Sequence, residues 1–206
     1  MNKSLLMGMM EPPAGFEEEF NDWYDTEHTP KVSNCPGFET GQRFTCTSGW
    51  PRYVALYDLT NLDVLRSPTY QKLSDKGASP WTQRVRDKTL GRYRFLGNQI
   101  YPGNALLGEK GAVNRLLVLR FERASDADGE RILHGLRENF TARKGVSQFR
   151  LFRDEKPEQC TYAAIVEFFL PANCEDIDPA PFGDSIRLLN MTNVYSPYWR
   201  VLFRKP

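Results

Sequence analysis

The sequence predicts an α+β protein built from two copies of one small unit, and three observations carry that prediction. The order strand–helix–strand–strand–helix–strand fills residues 1–102 and recurs in residues 112–206. Local text recurs with it: Pro36-Gly-Phe-Glu-Thr-Gly-Gln-Arg-Phe44 lines up with Lys144-Gly-Val-Ser-Gln-Phe-Arg-Leu-Phe152, and Tyr53-Val-Ala-Leu-Tyr57 with Tyr162-Ala-Ala-Ile-Val166. Finally, a period of about a hundred residues is too long for a solenoid and suits a duplicated α+β unit.

Each element has a local reason. Residues 4–10 are apolar and read as a strand, followed by a Pro-Pro-Ala-Gly loop. In 16–28, Phe16, Phe20, Trp23, Tyr24 and Glu27 fall at helical spacing, and Pro30 is expected to stop that helix because it lacks an amide hydrogen. Residues 38–46 and 52–59 form a hairpin rich in β-branched and aromatic side chains. Short helices follow at 61–66, 69–76 and 81–88, the last with Pro80 at its start, and 92–100 closes the half as a strand. Residues 103–111 are a glycine-containing connector and the expected domain boundary. In the second half, 114–122 is a strand and Ser125 to Asp128 offers a cap for a helix over 127–140. Residues 146–153 and 161–169 are strands, 179–189 holds a short helix and 198–203 is the last strand.

This order is the ferredoxin-like βαββαβ plan, an antiparallel sheet with helices on one face. The bare face of each sheet needs cover. With two copies in one chain, the sheets are expected to pack into a dimeric-type α+β barrel, with a cavity between them.

Bulk properties narrow the function classes. A formal net charge of +1 gives no electrostatic reason to expect a nucleic-acid partner. The aromatic-rich strands lack the basic pattern of an RNA-binding sheet. No apolar run reaches the ~20 residues needed to span a bilayer. The N-terminal stretch is too short in apolar residues for a signal peptide and runs into Glu11-Pro12-Pro13, so a cytoplasmic location is expected. Cys35, Cys46, Cys160 and Cys174 are scattered without metal-ligand spacing and read as structural thiols. No phosphate-binding glycine loop, GxSxG or HExxH is present, and neither cofactor nor metal is expected.

The chemistry concentrates at the end of the first helix, where Asp25, Glu27 and His28 precede Pro30. Phe20-Asn-Asp-Trp-Tyr-Asp-Thr-Glu-His-Thr-Pro30, followed by Pro36-Gly-Phe38, resembles the dimeric α+β barrel superfamily, close to its EthD-like branch. The tract Ser79-Pro-Trp-Thr-Gln-Arg-Val-Arg86 is similar to a segment of duplicated EthD-like proteins. The resemblance covers about 4–100 and, mainly through topology, the second half. It implies a barrel cavity and a range of chemistries that includes monooxygenases, lactone isomerases, polyketide cyclases and decarboxylases, many without metal or organic cofactor. Fold does not choose among them. In the second half, the position of His28 falls at Leu136, so one site per chain is expected; His134 nearby reads as surface or filler.

The leading expectation is a cofactor-independent lyase or isomerase of small aromatic, polyketide-like or keto/hydroxy-acid metabolites. His28 would be its general acid–base, Asp25 would orient the ring and Tyr24 would polarise a carbonyl. Trp23, Trp81, Arg84 and Arg43 are the candidates for holding substrate. Each has a plainer reading: a histidine in a last helical turn interacts with free carbonyls, the tryptophans and Tyr24 fill a core, and the arginines pair with acids. A cofactor-free monooxygenase and a non-catalytic carrier are the alternatives. A homodimer is left open.

Overall fold

In the computed structural model, residues 2–74, 77–157, 159–171 and 173–205 are described, without the side chains of 199–202. The first half runs β1 (Ser4–Glu11), α1 (Glu17–Trp23), α2 (Thr29–Ser33), β2 (Thr40–Ser48), β3 (Tyr53–Leu59), α3 (Pro68–Ser74), α4 (Pro80–Lys88) and β4 (Leu90–Tyr101). The second runs β5 (Arg115–Ala124), α5 (Asp126–Phe140), β6 (Val146–Arg153), β7 (Cys160–Phe168) and β8 (Leu189–Arg204). The helix expected at 69–76 is α3; Asp75 and Lys76 lie outside the described residues.

The strands close into one antiparallel barrel in the order β1-β3-β2-β8-β5-β7-β6-β4, with β4 returning to β1. Each half contributes a four-stranded ferredoxin-like sheet, and the seams are β2 with β8 and β4 with β6. Both halves of the barrel therefore come from one chain, and closure needs no second copy. This is the duplicated α+β barrel that the repeat predicts.

Alternation sorts each strand into an inner and an outer face. Leu5, Met7, Met9, Phe44, Val54, Leu56, Phe95, Leu116, Val118, Phe152, Ile165 and Tyr195 meet inside the barrel. The outer faces carry the helices in two further clusters, one per half. All of β3 and β7 is buried because these strands are covered on both sides, which is why they read as continuous apolar runs. Between the sheets, where a cavity is expected, the inward-pointing side chains pack against one another. At one end that interior is polar, with Arg150 donating to Asp58 at 2.6 Å and facing Glu167 at 3.2 Å. The connector 103–111 seals this end, its Leu107 and Gly108 amides donating to Asp58 and Glu167.

Three local features differ from the sequence reading. The first helix does not stop at Pro30. Residues Tyr24–His28 form a wider π turn, with the Thr29 amide donating to the Tyr24 carbonyl, and α2 continues to Ser33. The wider turn takes up the ring clash and missing donor that end an ordinary α-helix at proline. The helical piece near 179–189 is a 3₁₀ segment, Ala180–Leu188. The last strand starts at Leu189, well before the expected 198. Polar residues such as Asn190, Thr192 and Asn193 hid it: Asn193 is buried and donates to the Trp50 carbonyl. By contrast the Pro-Gly turn behaves as its chemistry requires. Gly37 has φ of 86°, and a Cβ there would stand 2.3 Å from Val64; Gly145, at the matching place in the second half, has φ of 94°.

Candidate functional site

The helix layer of the first half does not cover its sheet completely. The aromatic stripe of α1 lies over β3, and α3 and α4 are short, so the outer face of β4 stays partly open at Leu90, Arg92 and Arg94. The result is a cleft of about 710 Å³ between the outer face of the sheet and the helices. This is within the usual range for a small-molecule site. Its floor includes Leu6, Gly8 and Met10, and Trp23, Tyr24, His28, Tyr57 and Tyr70 line it. A Cβ added at Gly8 would meet nothing within 4 Å, so the floor is open above that residue.

The π turn places His28 on this wall. Its ring stacks on Trp23 at 4.5 Å and meets the edge of Tyr24 at 5.1 Å. Burial, and then the positive charge of Arg43, lower its pKa to about 4; Glu27 opposes them. His28 is therefore a neutral imidazole near pH 7. The indole behind it is fixed by a relay: Trp23 Nε1 donates to Thr82 Oγ1 at 3.0 Å, and Thr82 donates to Glu27 at 3.1 Å. Ser79, the N-cap of α4, also donates to Glu27, while Lys31 pairs with it at 3.2 Å. Glu27 thus ties the π turn to α4.

Arg43 stands behind Tyr24. Phe44 points into the barrel, so Arg43 points outward into the helix layer. Its guanidinium lies 4.1 Å from the Tyr24 ring centroid and 4.3 Å from that of Tyr198, with Tyr53 and Phe20 also within cation–π range. It donates to Asn21 Oδ1 at 2.5 Å and pairs with Asp25 at 3.4 Å. The Tyr24 and Tyr57 hydroxyls lie close to each other, and burial pushes the pKa of both upward. Both stay protonated and able to donate at neutral pH.

The structure therefore brings together Trp23, Tyr24 and His28 on the cleft wall, with Arg43 and Asp25 joined behind it. Asp25, expected to orient His28, spends its carboxylate on Arg43. Arg84 is outside the cleft, in an ion pair with Glu19 on the surface. Trp81 packs against the helix-layer core rather than lining the cleft. Sequence reasoning did not assign Gly8, Tyr57, Tyr70, Arg86, Arg92 and Arg94 to the site. Helical spacing offered a signal for Arg86, which lies one turn beyond Thr82 on the same face of α4. In the second half Leu136 is buried, and Phe182 packs so closely on Gly135 that a Cβ there would be 2.4 Å away.

The fold is an α+β barrel of two ferredoxin-like halves held in one polypeptide. No family model matches the sequence, and no curated protein matches it. Solved structures do share the fold. An anthrone oxidase-like protein matches with TM-score 0.62 at 10% identity, over 98% of this chain and 93% of its own. A mutant chlorite dismutase from Candidatus Nitrospira defluvii, in complex with cyanide, matches with TM-score 0.57 at 8% identity, over 95% and 90%. A monooxygenase candidate from Lactobacillus acidophilus NCFM matches with TM-score 0.52 at 8% identity, over 96% and 94%. At such identities the likeness is one of fold.

These matches correct the expected function. The fold neighbours are described as oxidase-like, monooxygenase and dismutase proteins, which are oxidation–reduction proteins rather than lyases or isomerases. They overturn the reading of a cofactor-independent, metal-free proton-transfer enzyme. Among the described residues no helix is long and apolar enough to cross a membrane.

Proposed function

We propose that this protein is an oxidoreductase of the oxygenase type that binds a flat, electron-rich aromatic molecule in the cleft over Gly8. The single observation that carries this reading is the cleft itself. It has an open glycine floor and aromatic walls, with a neutral imidazole and two protonated phenols on them. The fold shared with an anthrone oxidase-like protein and a monooxygenase candidate supports it. The helix-end motif from Trp23 to His28 and the Pro36-Gly-Phe38 turn support an EthD-like relationship within the superfamily.

The donor set of the cleft decides whether it suits a haem. Among the described residues no group of three histidine, cysteine or acidic side chains could hold a bare metal ion. A haem asks for less: one neutral imidazole at the iron and cations for its carboxylates. His28 is such an imidazole, and Arg86, Arg92 and Arg94 are such cations. The donor set fits, and a haem held there would supply one-electron and dioxygen chemistry.

The chain's own part is to bind and orient. Trp23, Tyr24, Tyr57 and Tyr70 offer ring faces and edges to a planar ligand. The Tyr24 hydroxyl donates to an oxygen atom that gains negative charge, with the buried Tyr57 hydroxyl behind it. Arg43 holds Tyr24 in place from behind, and the Trp23–Thr82–Glu27 relay holds the surface on which His28 rests.

The test is oxygen consumption with anthrone and naphthol probes, with and without added hemin, in wild type and Tyr24→Phe. Oxygen uptake that falls in Tyr24→Phe is expected. Substrate that binds and is recovered unchanged, with no oxygen consumed under either condition, would replace this reading with that of a carrier.

A further inference from the structure

The proposed function leaves the ligand's polar end unassigned, and the cleft carries three guanidinium groups that pair with no carboxylate among the described residues. Arg86 of α4, Arg92 and Arg94 of β4 all line it. Arg86 donates to the Ser74 carbonyl at 2.5 Å, and Arg94 donates to the Tyr70 hydroxyl at 3.1 Å. Both partners are neutral. Among the described residues, none of the three arginines forms an ion pair with a carboxylate, whereas Arg43, Arg52, Arg66, Arg84, Arg131, Arg150 and Arg153 do. Acids do stand nearby: Glu122, Asp154 and Glu155 share a neighbouring groove with Arg94, without pairing to it.

Depth gives the arrangement a direction. Trp23 is 1% exposed and Tyr24 and Tyr57 are each 3% exposed, while Arg92 and Arg94 are exposed and Arg86 is half-buried. The rings are at the bottom of the cleft and the guanidinium groups at its mouth. Arg92 and Arg94 leave the sheet on the same face, two residues apart, and Arg86 reaches in from the helix opposite. A tethered guanidinium keeps its planar fork but not its full set of partners, which suits it to a carboxylate.

We propose that the ligand is an aromatic carboxylate, its ring system seated over Gly8 and its carboxylate held at the mouth by Arg86, Arg92 and Arg94. This rests on the reading of the cleft as an aromatic-binding site. The same chemistry has a second source, the propionates of a haem, and the experiment separates the two.

The experiment compares 3-hydroxy-2-naphthoate with 2-naphthol, which has the same ring system without the carboxylate. Binding is followed by tryptophan fluorescence and calorimetry in the full chain, with hemin titrated separately by absorbance. The carboxylate probe is expected to bind about tenfold tighter than naphthol, and to weaken as salt is raised. Arg92→Met/Arg94→Met and Arg86→Met should each remove most of that preference while leaving naphthol binding unchanged. Arg115→Met, which loses the same single charge as Arg86→Met but in the second half, should leave both probes unchanged. Melting curves establish that the variants are folded.

Equal affinity for the two probes, or a preference that survives the arginine variants, would overturn the inference. Tight binding of hemin that depends on the arginines, without binding of the naphthoate, would also overturn it and assign the arginines to haem carboxylates. Oxygen consumption is scored separately. Uptake without carboxylate preference leaves the oxidoreductase reading standing and this inference lost, and preference without uptake does the reverse.

Discussion

Replacing Gly8 by phenylalanine tests whether the cleft is a binding site or a packing fault. Gly8 lies in β1, paired to Ala55 and Arg94, and its outer face looks into the cleft, where an added Cβ would have no atom within 4 Å. Any side chain relieves the cost of glycine in a strand, about 0.5–1 kcal/mol. A phenyl ring on the floor would also bury apolar surface, and half of the 1.5–3 kcal/mol for a fully buried ring adds about 1 kcal/mol. Together the gain is about 1–2 kcal/mol, or a rise in melting temperature of roughly 2–8 °C for a chain of this size. The same ring takes the space of the ligand. Thermal melting with and without 3-hydroxy-2-naphthoate reads both effects: the apo protein should be stabilised and the ligand-induced shift lost. A lower melting temperature would refute the open floor. A higher one with ligand binding intact would place the ligand elsewhere.

Other expectations follow from the groups around the cleft. Arg43→Met strips the cation from Asp25, whose side chain is 8% exposed, and should cost about 3 kcal/mol in urea unfolding, with Arg43→Met/Asp25→Asn recovering part of it. His28 titrates at about 4 in the folded chain against 6.5 unfolded, so the unfolded state binds more protons between these values. Stability should therefore fall as pH is lowered from about 6.5 toward about 4, by at most roughly 3 kcal/mol from this group. Urea unfolding across that range should show a shallower decline in His28→Gln than in wild type. Ser79→Ala removes both the cap of α4, where Ser79 accepts from the Thr82 amide at 3.1 Å, and a donor to Glu27. A loss of about 1–2 kcal/mol is expected in the same assay.

The repeated unit and much of its local structure were readable from the residues alone. Strand, helix and hairpin signals are short-range, so the order of elements, the Pro-Gly turn at Gly37, the Ser125 cap of α5 and the helix that carries Tyr24 and His28 were all legible. Duplication then implied a barrel, because two half-covered sheets have one economical way to bury their bare faces. Other outcomes depended on long-range packing. Mixed alternation in β2 could not say which way Arg43 points; the neighbouring strand decided it. Asp25 is one turn before His28, yet a buried guanidinium from β2 is the partner that holds it. Arg84 and Arg86 read alike in the sequence, and only the placement of α4 against α1 sends one to the surface and the other into the cleft. The cleft's position outside the barrel was likewise not legible. It follows from how much of β4 the short helices leave uncovered, a quantity that depends on the packing of whole elements. Periodicity reports which residues share a face; the tertiary structure decides what that face meets.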